Sequence, residues 1–167
     1  MDLSKLIQSI ETAPLPFEQW HPKFCGDIDM MIKQNGDWYF NGSLITRPAM
    51  VKLFAKVLIF ENGEYFLKTP VEKMRISVED TPFIIVQWHS IEQNKQDVII
   101  CQDNVGNEFV LSHKHNLVVR NEIPNLVLNH GLEAKVSRNV YYQWASQAKE
   151  QEGRFFIMSG GLRHYLN

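Results

Sequence analysis

The chain has 167 residues, 44% of them hydrophobic and 22% charged, which is typical of a globular protein and excludes an intrinsically disordered one. A formal net charge of −2 gives no overall basic surface, so we do not expect non-specific binding to nucleic acid. There is no apolar segment of roughly 18 residues that could span a membrane and no signal-peptide pattern. Cys25 and Cys101 are too few and too far apart for a disulfide framework. We therefore expect a cytoplasmic protein with no membrane partner.

Apolar residues at helical spacing predict two helices in the first half of the chain. The first begins near Leu3 and would end at Pro14 and Pro16, because proline breaks a helix. The second is predicted over residues 47–60, with Thr46 as its N-cap.

Alternating polar and apolar residues predict strands around these helices. In the first half, the predicted strands are residues 27–32, 38–40, 64–68 and 73–78, with Asn-Gly turns at 35–36, 41–42 and 62–63. Beyond a boundary at residues 79–82, we predict strands at 83–89, 97–102, 108–111 and 117–119, a helix at 138–150 and a final strand at 154–158. Most of these strands would be joined by hairpins, so the expected fold is α+β with mainly antiparallel sheets.

The last third of the chain resembles part of its first half. A hydroxyl residue and an arginine open an amphipathic run in both, at Thr46-Arg47 and at Ser137-Arg138. Each run ends at a glycine, Gly63 or Gly153, and leads into an apolar strand. We therefore expect two related units, residues 1–80 and 81–167, each with hairpin-linked strands and a helix, packed across a cleft. Seams of this kind are common ligand sites.

Arg47 and Arg138 would each lie in the first turn of a helix. A cation there opposes the helix dipole at a cost of about 0.3–1 kcal/mol, so the paired arginines indicate a compensating anion. Free backbone N–H groups beside a guanidinium favour a phosphate or carboxylate ligand. The alternative is a salt bridge to an internal carboxylate such as Asp27, Asp29 or Asp80.

The segment from Trp20 to Asp29 contains an indole, an imidazole, a thiol and two carboxylates. Asp27 and Asp29 would share one face of a strand, where they could bind a cation or sugar hydroxyl groups. His21 and Cys25 supply only two ligands, whereas a structural zinc site needs four. A hydrogen-bonded loop beside a solvated strand face is the alternative. The sequence contains no phosphate-binding glycine loop, no nucleophile elbow and no HExxH motif.

Several motifs resemble an uncharacterised bacterial family, domain of unknown function 1285. They are Trp20-His21-Pro22, residues 25–30, residues 38–42, Arg47-Pro48, residues 69–73 and residues 78–83. The similarity continues more loosely through residues 104–106 and the segment at Arg138. It departs at Met31 and Asn139, where the family commonly has a basic residue and a proline. The resemblance implies a two-part α+β fold, a cleft that accepts a nucleotide-like ligand and a role in signalling, and it implies no established reaction.

Together these observations predict a small cytoplasmic ligand-binding or sensor protein that holds a phosphate-bearing small molecule between its halves. We expect no cofactor and assign no catalytic or metal-binding residue. The predicted ligand-binding residues are Arg47, Arg138, Lys73, Arg75, Trp20, His21, Asp27 and Asp29. One alternative is a metal-assisted hydrolase that uses His21, Asp27 and Asp29. Another is a protein-interaction module with an exposed sheet edge or aromatic patch.

Overall fold

Two units, Met1–Asp80 and Thr81–Asn167, make up the chain, and each is built on its own six-stranded sheet. The computed structural model describes residues 3–12 and 17–167, so the predicted helix end at Pro14 and Pro16 lies outside the described residues. With 19% helix and 48% strand, the protein has the α+β class that its sequence predicts.

The N-terminal unit contains two helices, a 3₁₀ turn and six strands within the described residues. In chain order they are α1 (Leu3–Glu11), the 3₁₀ turn (Phe17–Gln19), β1 (Phe24–Ile32), β2 (Trp38–Phe40), β3 (Ser43–Leu44), α2 (Pro48–Ala55), β4 (Leu58–Glu61), β5 (Glu64–Lys68) and β6 (Lys73–Val78). The sheet order is β3-β2-β1-β6-β5-β4. Neighbouring strands are antiparallel except β1 and β6, which run parallel.

One face of this sheet forms the core of the unit. Along β1, Ile28, Met30 and Ile32 are buried, as the alternation in the sequence predicts. The helix α2 contributes Phe54, which is fully buried and stacks on Trp38 with the ring centroids 6.4 Å apart. The opposite face of the sheet therefore carries the polar and charged side chains.

The helix predicted over residues 47–60 is shorter in the structure. It ends at Ala55, and residues 58–61 form β4, where Leu58 and Ile59 pair with strand β5. A short apolar run fits helical and extended spacing equally well, which explains the error. The predicted N-cap is also wrong, because Arg47 occupies that position and its side chain makes no capping hydrogen bond.

The C-terminal unit contains one helix and nine strands. They are β7 (Phe83–Gln93), β8 (Gln96–Asp103), β9 (Glu108–Val110), β10 (Leu117–Arg120), β11 (Ile123–Val127), β12 (Glu133–Val136), α3 (Arg138–Gln147), β13 (Lys149–Gln151), β14 (Arg154–Ser159) and β15 (Leu162–Tyr165). The large sheet has the order β10-β11-β12-β7-β8-β9, with β12 and β7 parallel. Strands β13, β14 and β15 form a separate antiparallel sheet.

Four strands of this unit are absent from the sequence-based prediction: β11, β12, β13 and β15. Pro124 lies inside β11, and a proline within a run argues against a strand in sequence-based reasoning. The predicted final helix also ends early, at Gln147 rather than residue 150, because residues 149–151 form β13. The last strand is β15, not β14.

The internal repeat is present as a helix followed by three antiparallel strands. We call α2-β4-β5-β6 the first repeat and α3-β13-β14-β15 the second repeat. The turns at Asn62-Gly63 and Glu152-Gly153 have the same left-handed conformation, with φ of 53° and 80° in one and 53° and 79° in the other. Strand β6 joins the large sheet through β1, whereas β15 is the edge of the three-stranded sheet. None of the helices in the described residues has the length and hydrophobicity needed to cross a bilayer.

Candidate functional site

The two predicted cations of the N-terminal sheet, Lys73 and Arg75, are each paired with carboxylates. Arg75 donates from Nε to Oδ1 of Asp27 at 2.7 Å and from Nη1 to Oε1 of Glu64 at 3.0 Å. The hydrogen bond with Asp27 is the largest cause of the raised pKa of Arg75. Lys73 donates from Nζ to Oε1 of Glu61 at 2.7 Å. Both cations are therefore neutralised within the unit.

These ion pairs lie over aromatic rings. The guanidinium carbon of Arg75 is 5.2 Å from the centroid of Phe24, and Nζ of Lys73 is 4.4 Å from the centroid of Phe66. The two rings meet edge to face with centroids 6.0 Å apart. This arrangement of alternating charges over packed rings is typical of a structural surface.

The remaining predicted residues of this segment do not form a cluster. Trp20 is buried and packs edge to face against Phe17 at 5.3 Å, so its indole belongs to the core. His21 and Asp29 are exposed, and Asp27 is engaged by Arg75. Across residues 3–12 and 17–167, no three His, Cys, Asp or Glu side chains come together in a metal-binding group. The hydrolase alternative therefore lacks a ligand set in this part of the chain.

Arg47 and Arg138 stand at helix starts, as the sequence predicts. Arg47 is the N-cap residue of α2 and Arg138 is the first residue of α3, after Ser137, whose Oγ accepts from the N–H of Val140 at 3.3 Å. Both arginines are exposed, and neither forms an ion pair in the described part of the chain. The two lie in different units. Their role as anion contacts stays a prediction.

A groove of about 430 Å³ opens within the C-terminal unit, and the sequence did not predict it. It lies where β7 and β8 meet β13, β14 and the end of α3. Its lining residues are Trp88, Ser90, Asp97, Ile99, Gln147, Lys149, Phe156, Ile157 and Met158. The volume is in the range of small-molecule sites, which is about 300–1,000 Å³.

The wall from the large sheet is fixed by strand register and by one tryptophan. Ser90 pairs with Ile99 across β7 and β8, which places both side chains on the same face as Trp88. The indole Nε1 of Trp88 donates to Oε1 of Gln143 on α3 at 2.7 Å. Its ring also packs edge to face on Trp144, with centroids 6.2 Å apart. The groove therefore has a rigid aromatic wall.

The opposite wall is held in place by Ser159, which is fully buried at the end of β14. Its hydroxyl donates to the carbonyl oxygen of Leu111 at 2.7 Å and accepts from the N–H of Ile99 at 2.9 Å. The N–H of Gly160 donates to the carbonyl oxygen of Asp97 at 2.8 Å. These bonds connect the three-stranded sheet to the edge of β8, so the groove is preformed.

Three cations, Lys149, Arg154 and Arg163, lie on one face of the three-stranded sheet, and this face borders the groove. Lys149 pairs with Phe156, Gln151 with Arg154, Phe156 with Tyr165, and Met158 with Arg163, so all of these side chains point to one face. None of the three cations forms an ion pair in the described part of the chain.

The two arginines of this face are stacked on rings. The guanidinium carbon of Arg163 is 4.7 Å from the centroid of Phe156, and that of Arg154 is 3.7 Å from the centroid of Tyr165. Arg163 donates to the amide oxygen of Gln151. Arg154 donates to the main-chain oxygen of Asn167 at 3.4 Å. Stacking fixes the plane of a guanidinium and leaves its edge available for an anion.

Sequence reasoning missed Lys149 because the residues of β13 were predicted as the end of a helix, and it missed the cations beside the groove because β15 was not recognised as a strand. The pair Gly160-Gly161 is a hairpin signal, and both glycines have positive φ, 58° and 80°. A hairpin there would have placed Arg154 and Arg163 on one face by simple alternation. The bonds that close the groove join distant positions and have no local signal.

The fold is that of a two-unit α+β protein with a groove of about 430 Å³ in its C-terminal unit. Residues 15–81 match the family model described as the N-terminal domain of the domain of unknown function DUF1285, and residues 82–166 match the C-terminal domain of the protein of unknown function DUF1285. The chain therefore belongs to the DUF1285 family, as the sequence motifs indicated.

Two solved structures of the family are similar to this chain. A DUF1285 family protein from Silicibacter pomeroyi DSS-3 is 32% identical, covers 95% of this chain and 92% of its own, and superposes with a TM-score of 0.81. A DUF1285 family protein from Shewanella baltica OS155 is 30% identical, covers 71% of this chain and 91% of its own, with a TM-score of 0.60. No functionally curated protein matches the chain.

Proposed function

We propose that this protein binds a phosphate-bearing small molecule in the groove of its C-terminal unit and acts as a ligand-binding or sensor protein. The observation that carries the proposal is a preformed groove of about 430 Å³ with an apolar floor and an ammonium group, Lys149, that has no ion-pair partner in the described residues. A concave apolar site with a few convergent polar groups is the common form of a small-molecule site.

The lining of the groove supports a ligand with a flat apolar part and an anionic end. Ile99, Phe156 and Ile157 are buried and supply apolar contact area. Asp97 adds a carboxylate that can accept hydrogen bonds from ligand N–H or O–H groups. Lys149 is exposed and supplies a point charge for phosphate. A nucleotide-like molecule combines these features.

Arg47 and Arg138 offer a second hypothesis for the anion contact, as their helix positions predict. Both side chains are exposed, and at an exposed helix start the attraction of the helix dipole for an anion is small and screened by salt. We therefore favour the groove and test both in one experiment.

The experiment is a thermal-shift titration of the purified full chain with AMP, other nucleotides and sodium phosphate. A ligand at about 100 times its Kd should add about 2.7 kcal/mol to the stability of the folded state. K149Q should remove this shift, and K114Q, which changes an exposed lysine of the same unit, should keep it. Loss of the shift in R47Q or R138Q, with K149Q unaffected, would move the site to the helix starts. A flat response to every compound would contradict the proposal.

A further inference from the structure

The two repeats have identical strand registers, so their faces can be compared position by position. In the first repeat Ile59 pairs with Phe66, and in the second Lys149 pairs with Phe156. One step further along, Glu61 pairs with Glu64 in the first repeat. The matching pair of the second repeat is Gln151 with Arg154. The third strands also correspond, with Lys68 paired to Lys73 and Met158 paired to Arg163.

The central cation of each face has the same geometry. Lys73 lies 4.4 Å from the centroid of Phe66, and Arg163 lies 4.7 Å from the centroid of Phe156. Both also reach the residue at the end of the first strand of the repeat. Lys73 contacts Glu61 at 2.7 Å, whereas Arg163 contacts the amide of Gln151. The carboxylate that neutralises the first cation is thus replaced by an uncharged group beside the second.

The charge balance of the two faces differs accordingly. The first face contains three cations. Lys73 and Arg75 have as ion-pair partners Glu61, Glu64 and Asp27, and Lys68 lies over the ring of Phe17. The face of the second repeat contains the cations Lys149, Arg154 and Arg163 and no carboxylate. Like charges that share a small surface repel each other, and a bound anion removes that cost.

The two arginines of the second face lie over two adjacent rings. The centroids of Phe156 and Tyr165 are 5.8 Å apart, and each ring has a guanidinium stacked on it. Phe156 also lines the groove, with Lys149 directly opposite on the neighbouring strand. The positive surface therefore begins inside the groove at Lys149 and continues past its end to Arg163.

We infer that the ligand is an oligophosphate compound, in which a first phosphate contacts Lys149 and a further phosphate is bound by Arg163 across the ring of Phe156. The inference rests on the proposed function and specifies the class of its ligand. A single phosphate needs only the ammonium of Lys149. An oligophosphate chain uses both cations, and the fork of the Arg163 guanidinium suits a terminal phosphate.

The test compares AMP, ADP and ATP as probes by isothermal titration with the full chain, without added magnesium. Wild-type affinity should rise at least about tenfold from AMP to ATP, since each charge-assisted contact contributes at that scale. The decisive variant is Q151E, which restores the acid of the first repeat and neutralises Arg163 in place. Q151E and R163Q should lose the preference for ATP and keep AMP affinity within about threefold. K149Q should lower the affinity for AMP and for ATP.

The matched control is E61Q, which makes the reciprocal change in the first repeat and should bind like the wild type. Equal affinity of the wild type for AMP and ATP would overturn the oligophosphate inference and leave the groove proposal standing. An ATP preference that persists in both Q151E and R163Q would also overturn it. The absence of binding by all three nucleotides would instead contradict the proposed function.

Discussion

Lys73 and Arg163 occupy equivalent positions in the two repeats, and each lies over a phenylalanine ring, at 4.4 Å from Phe66 and 4.7 Å from Phe156. Their neighbours differ, because Lys73 meets Glu61 and Arg163 meets Gln151. One geometry therefore occurs in a neutralised and in an uncompensated form within the same chain. In the first repeat, the carboxylate of Glu61 neutralises Lys73, which is consistent with a structural surface. In the second repeat, Arg163 meets an uncharged amide instead, and its positive charge distinguishes the surface beside the groove.

Exchanging the acid Glu61 for an amide and the amide Gln151 for an acid should have small and opposite effects on the free energy of unfolding. E61Q removes an ion pair whose members are partly exposed and should lower the free energy of unfolding by about 1 kcal/mol or less. Q151E creates the matching pair and should leave stability unchanged or raise it by a similar amount. Urea denaturation measures both. A loss of more than about 2 kcal/mol in Q151E would contradict the pairing expected between the new carboxylate and Arg163.

Ser159 should matter far more for stability than Ser146, an exposed serine of the same unit. S159A removes both hydrogen bonds of a buried hydroxyl and leaves the N–H of Ile99 and the carbonyl of Leu111 without a partner, at a cost of about 1–3 kcal/mol. Amide exchange at Ile99 should quicken because the sheet contact opens. S146A, at an exposed position of α3, should change stability by less than about 0.5 kcal/mol. Similar losses in both variants would contradict this assignment.

His164 should make stability depend on pH. Its ring is buried, and burial lowers its pKa below the usual value near 6.5, so the folded state holds it neutral. The unfolded chain binds a proton below about pH 6.5, so this contribution is present above that pH and is lost as the pH falls through the folded pKa.

Unfolding experiments on H164N check the pH dependence. Between pH 7.5 and 5, the wild type should lose stability relative to this variant, at up to about 1.4 kcal/mol per pH unit. The difference between the two proteins should be constant above pH 7.5. Parallel curves over the whole range would show that His164 takes up its proton equally in the folded and unfolded states.

The two cysteines should differ in reactivity. Cys101 is fully buried in β8, and burial raises the pKa of its thiol to about 12, whereas Cys25 is exposed. A thiol reagent at pH 8 should therefore modify one thiol per native chain and two per unfolded chain. C25S should abolish the native reaction. Rapid modification of two thiols in the native protein would contradict the burial of Cys101.

The sequence predicts the local features of the fold well because local chemistry determines them. The alternation of Ile28, Met30 and Ile32 identifies β1, and the Asn35-Gly36 pair identifies the β1–β2 hairpin. The predicted end of α2 is wrong because the apolar residues that follow Ala55 are buried in strand β4 and not on a helix face.

The candidate site depends on contacts between distant positions, which the sequence does not encode locally. Arg75 contacts Asp27 because β1 and β6 pair in parallel with these two residues side by side. The sequence around Arg75 contains no pattern that predicts this partner. The groove likewise brings Trp88 and Asp97 together with Phe156 through the packing of two sheets. The only local signals for the surface beside the groove are the Gly160-Gly161 turn and the positions of Arg154 and Arg163 on either side of it.

The most direct test of the central claim is an NMR titration of the ¹⁵N-labelled full chain with ATP, followed through backbone amides and tryptophan indoles. The account predicts saturable shifts at the indole of Trp88 and at the amides of Ser90, Lys149 and Ile157. Amides at the start of α2 should stay unchanged. Shifts confined to residues near Arg47 and Arg138, with a silent groove, would contradict the account, as would an unchanged spectrum at millimolar ATP.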